Sequence, residues 1–147
     1  MSIKTASDLF NEVLNNGGFT VNPRTQRLAG NNGYVVATSG SQEIFDSESF
    51  TPEAIESYYR RHVETYYKNR NLFIGGWWNP RNQKIYLDIV ELIDSKTVAI
   101  RKGMLQDQES IYDQSNYKII YLPSRQKSGT FAQQETYLRM KIRELCS

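Results

Sequence analysis

The chain has 147 residues, with 18 Lys and Arg against 16 Asp and Glu, one His and one Cys. That length is typical of one domain and buries a core without disulfides or metal. The lone Cys146 excludes an internal disulfide and a Cys-rich zinc site, and leaves His62 as the only imidazole for a nucleophile–base pair.

A net charge of +2 is small for a dedicated nucleic-acid binder. The charge is uneven, however. Residues 1–57 hold three basic and seven acidic groups, and residues 58–147 hold fifteen basic and nine acidic. No window approaches the ~18–20 apolar residues of a membrane span. The opening MSIKTASDLF has no apolar signal core. A cytosolic protein without a membrane role is expected, and one unpaired Cys agrees with a reducing compartment. The unusual part is the aromatic content: ten Tyr, six Phe and two Trp.

The first element is a helix from about Ser7 to Asn15, stopped by Asn16-Gly17-Gly18. Phe19-Thr20-Val21 reads as a strand and Asn22-Pro23-Arg24-Thr25 as a turn. Tyr34 to Thr38 is β-branched and predicts a strand; Gln42 to Phe45 predicts another. Thr51-Pro52 opens a long helix with Ile55, Tyr59, His62, Val63 and Tyr66 on its inner face. It runs to Asn69-Arg70-Asn71. Leu72–Trp78, a turn at Asn79–Gln83 and Lys84–Ile93 form the best hairpin signal. In its second strand Ile85, Leu87 and Ile89 share one face, and Tyr86, Asp88 and Val90 the other. Gly75-Gly76 suggests a bulge or a close backbone approach. Ser95 caps a helix to about Leu105 with Val98, Ala99 and Leu105 inward. Ile111-Tyr112 and Tyr117–Tyr121 are strands, and Thr130–Leu145 is a helix striped by Phe131, Leu138, Ile142 and Leu145. The expected fold is a single α+β domain over 1–147: an antiparallel or mixed β-sheet with three to four packed helices.

Few residues point to chemistry. His62 sits mid-helix, and its neighbour Glu64 points away, so an orienting carboxylate is missing. Asp88 lies in the middle of a strand, where an Asp must face solvent or be paired. Glu91 and Asp94 follow, but no spacing forms a metal cluster, and no metal or cofactor is expected. There is no phosphate loop. Trp77 and Trp78 are adjacent on a strand and must point to opposite faces, one into the core and one to solvent or a cleft. Tyr58-Tyr59 and Tyr66-Tyr67, flanked by Arg60, Arg61 and Lys68, read as half core and half binding face.

Three stretches, Gly17–Thr25, Gly75–Val90 and Gln108–Asp113, resemble small proteins and domains of bacteriophages, prophages and conjugative elements. The likeness covers roughly residues 10–115. It implies a mobile-element accessory protein and carries over no catalytic residues. The expected function is binding without catalysis. The chain would inhibit a host-defence factor such as a CRISPR effector, acting in the host cytosol on a host protein or ribonucleoprotein. Trp77, Trp78, Tyr58, Arg60, Arg61 and Tyr67 are the expected contact residues, of types that dominate interface hot spots. The alternative is a nucleotide-signal binder with Arg24, Trp77, Asp88 and Gln108 lining its pocket, or a small nucleotide-using enzyme with Asp88, Glu91 and His62 as its groups.

Overall fold

The computed structural model describes residues 3–147. In chain order the elements are α1 (Ala6–Asn16), β1 (Gly18–Asn22), β2 (Arg27–Leu28), β3 (Tyr34–Ala37), β4 (Glu43–Phe45), α2 (Pro52–Arg61) and α3 (Val63–Lys68). Then follow β5 (Leu72–Asn79), β6 (Lys84–Ile93), α4 (Lys96–Leu105), β7 (Ser110–Asp113), β8 (Lys118–Tyr121) and α5 (Phe131–Cys146). The fold is α+β. The chain divides into two compact units: one holds residues up to Gly30 and Gly40–Glu91, the other Asn31–Ser39 and Leu92–Ser147.

In the first unit, β1 pairs antiparallel with β2 and β5, and β6 pairs antiparallel with β5 and β4. Helix α1 starts at a capping box in which Asp8 N donates to Thr5 Oγ1 at 3.2 Å and Thr5 N to Asp8 Oδ2 at 2.9 Å. It ends where Gly17 turns left-handed at φ 85°. Leu9 and Val13 from α1, Ile55 and Tyr58 from α2 and Tyr66 from α3 pack on the sheet face that carries Phe19, Ile74, Leu87 and Ile89. By strand alternation Thr20, Gly75, Trp77, Tyr86 and Asp88 lie on the reverse face.

Two expectations change here. The long helix is two helices, α2 and α3, broken at His62, whose φ of −109° and ψ of 9° leave the helical region. Within α2 Tyr58 shares the inner face with Ile55; it is at 0% exposure, and its phenol donates to the Ser41 carbonyl at 2.7 Å. Tyr58 is therefore a core residue and offers no contact to a partner. The hairpin has no bulge, since β5 and β6 pair in one unbroken register from Leu72↔Glu91 to Asn79↔Lys84. The two glycines make room for side chains instead. A Cβ at Gly76 would stand 2.4 Å from the Phe19 ring, and one at Gly75 3.0 Å from Val90.

In the second unit β7 pairs antiparallel with β3 and β8, and α4 and α5 pack around Val36, Ile100, Met104, Ile111, Leu138 and Ile142. The inward face of α4 is Ala99, Ile100, Gly103 and Met104, while Val98 and Leu105 are exposed. Gly103 sets that rotation: a Cβ there would meet Leu122 at 2.6 Å. Phe131 stands out in solvent at the first turn of α5, which begins with the Thr130–Gln133 capping box.

Candidate functional site

Asp88 occupies the middle of β6 on the face opposite Leu87 and Ile89. It is neither solvated nor fully paired, as its residue is only 2% exposed. Its neighbours follow from register. Across β5 stands Gly75, which has no side chain to offer. Diagonally on β5 stands Trp77, opposite Tyr86. On the other edge, the Glu43↔Leu87 register continued by one residue brings Gln42 beside Asp88. Ser41 fastens that segment, because its Oγ accepts from Ile89 N at 3.0 Å.

The Trp77 indole and the Gln42 amide both hydrogen-bond the Asp88 carboxyl. Its Oδ1 has no partner, one of two such buried side-chain atoms among the described residues; the other is the Tyr59 hydroxyl. Burial pushes the Asp88 carboxyl up to about 6, against the smaller downward pull of those two donors. Beside it the Trp77 and Tyr86 rings pack with centroids 5.0 Å apart, tilted by 31°. Tyr86 is pinned in turn, its hydroxyl accepting from Asn82 Nδ2 at 2.6 Å. A titrating carboxyl with one unused oxygen thus sits against an aromatic wall.

The other sequence-based candidates fall elsewhere. Arg24 is a structural clamp: its guanidinium donates to the carbonyls of Tyr66 at 3.1 Å and Leu72 at 3.0 Å, and to that of Arg70. Three carbonyls occupy it, so it does not join Asp88 in a pocket. Gln108 belongs to the second unit and donates to the Gln106 carbonyl at 3.2 Å. Arg61 forms an ion pair with Glu43 and lies over the Tyr58 ring at 5.9 Å. Arg60 is exposed. Trp77 and Trp78 do lie on opposite faces: Trp77 is half-buried on the Asp88 side and Trp78 is 42% exposed. Tyr67 is 62% exposed, its ring 5.2 Å from that of Tyr66. Tyr67 borders the start of β5 and Trp78 its far end, so roughly 20 Å of strand separates them. They do not form one patch.

The enzyme set is also split. His62 finds a carboxylate after all, with Nε2 3.5 Å from Glu43 Oε2, and its ring packs 4.2 Å from that of Tyr58. Glu91 alternates onto the face of Leu87 and Ile89, opposite to Asp88. His62 and Glu43 stand on that same helix-bearing side. Asp88, Glu91 and His62 are therefore not brought together. Among the described residues no group of three or more His, Cys, Asp or Glu gathers as a metal site, and no helix is long and apolar enough to cross a membrane.

Sequence reasoning missed Gln42 and Tyr86. Tyr86 was legible from its alternation with Asp88. Gln42 was not, because its neighbour is set by the pairing of β4 with β6, which joins segments more than forty residues apart. Comparison with protein-family models, curated proteins and solved structures finds no match.

Proposed function

We propose that this chain is a ligand-binding protein and that Asp88, Trp77, Gln42 and Tyr86 form its site. The observation that carries the reading is the partnerless Oδ1 of a carboxyl that is only 2% exposed. An unsatisfied buried acceptor costs about 1–3 kcal/mol, and more when charged. An Asn of the same shape would avoid the charge. Residues kept at such a cost cluster where a function needs them. The Trp77–Tyr86 ring pair supplies apolar area next to the polar group, the usual make-up of a small-ligand site.

The test uses the chain's two indole N–H resonances, from Trp77 and Trp78. A library of small amines, amidines and heterocycles is screened by NMR on 15N-labelled protein. Ligands are expected that move the Trp77 signal in the wild type and not in Asp88→Asn. Silence of Trp77 across the library, or equal shifts in the variant, would refute the site.

Exposed Trp78 supports a second reading, contact with a protein partner, which for a mobile-element accessory protein would be a host protein or ribonucleoprotein in the host cytosol. That contact would survive Asp88→Asn and be lost in Trp78→Ala. The opposite pattern would remove it.

A further inference from the structure

We propose that the Asp88 site takes the flat edge of an amidine-type group, two adjacent N–H donors in one plane, as on a guanine base or a guanidinium compound. The proposal rests on the ligand-binding reading above and specifies its chemistry.

Three features of the site carry it. First, the unused Oδ1 requires a donor, and the strand across from Asp88 cannot provide one because position 75 is glycine. A side chain there would press on Val90, so the fold itself keeps that donor out. Second, the carboxyl has two unequal hydrogen-bond partners. Trp77 is half-buried and packed against Tyr86, whereas Gln42 is exposed. The side chain free to swing aside is Gln42. Its departure removes a second hydrogen bond from the carboxyl. An incoming group with a single donor would meet Oδ1 but not replace the bond lost with Gln42; two donors at carboxylate spacing do both. Third, both present donors, an indole N–H and an amide N–H, are planar groups, and the adjacent wall is a pair of rings 5.0 Å apart and tilted by 31°. A slab-shaped ligand packs a flat face against that aromatic wall, and a tetrahedral ammonium does not.

The probes are guanosine 5′-monophosphate, methylguanidine, adenosine 5′-monophosphate and n-propylamine, titrated at pH 7.5 into the full chain with the Trp77 indole resonance as readout. Guanosine monophosphate or methylguanidine should shift that resonance, with affinity at least tenfold weaker in Asp88→Asn. Binding by the first alone identifies a base, and by the second alone a guanidinium; either outcome supports the shared chemistry. Gln42→Ala should bind more tightly than the wild type, because the side chain that must be displaced is gone, and weaker binding would overturn that displacement. That arm holds even if the Asp88 variant alters the fold. Adenosine monophosphate binding as well as guanosine monophosphate would overturn the proposal. Propylamine matching methylguanidine would overturn it too, while leaving Asp88 as a site for a simple cation. If none of the four moves Trp77, the proposal fails, and the library screen still decides the broader reading by itself.

Discussion

Asp88→Asn should make the protein more stable at neutral pH. The folded chain holds the Asp88 proton more tightly than an unfolded chain does: about 6 against an ordinary 3.8. A carboxyl raised in this way favours the fold below pH 3.8 and loses that contribution as pH climbs through 6. The difference of roughly two pH units corresponds to about 3 kcal/mol at 1.36 kcal/mol per unit. Above pH 6, therefore, the ionised side chain burdens the fold by about 3 kcal/mol. Asn keeps an acceptor for Trp77 and Gln42 but places an unpaired amide where Oδ1 stood, at a cost of about 1 kcal/mol. A net gain of about 2 kcal/mol remains at pH 7.5, a large share of the ~5–15 kcal/mol typical of a domain. Urea melts of both proteins from pH 3.5 to 7.5 measure it. The other carboxylates are common to both chains, so the difference curve isolates Asp88. It should rise between pH 4 and 6 and level off above. A flat difference curve, or a variant less stable at pH 7.5, would refute the reasoning.

Arg24→Ala removes three carbonyl contacts by one guanidinium and should destabilise by about 2–3 kcal/mol in the same melts. Little effect would mean that water replaces the clamp. Gly76→Ala places a methyl 2.4 Å from the Phe19 ring and should cost about 1–3 kcal/mol through overpacking. Tyr58→Phe strips the buried Ser41 carbonyl of its phenol donor and should cost about 1–2 kcal/mol without changing ligand binding. Thr130→Ala breaks the capping box of α5 and should lower stability by about 1 kcal/mol, read as a fall in C-terminal amide protection.

Local signals in the sequence were reliable. Thr51 and Ser95 each cap a helix as their side chains and spacing predict; Thr5 and Thr130 cap the first and last helices as well. Alternation in β6 correctly separated Leu87 and Ile89 from Tyr86 and Asp88. Non-local features were harder to see. At the helix break the His62 imidazole lies against Tyr58 and Glu43, and Glu43 comes from β4. Gly103 turned α4 away from its expected face through Leu122, nineteen residues downstream. For the site, the sequence marked Asp88 as out of place in a strand and Trp77 as its companion. It also proposed Arg24, which looks like a free turn cation until three backbone carbonyls reach it. The orphaned Oδ1 became visible only with Gly75 on one side of Asp88 and Gln42 on the other.

The most direct test of the account is the dissociation constant of the tightest ligand that moves Trp77, measured by titration calorimetry at pH 7.5 for the wild type and Asp88→Asn. Binding through the buried carboxyl predicts at least a tenfold loss in the variant, although that variant is the more stable protein. Equal dissociation constants in the two would contradict the assignment of Asp88 as the centre of the site.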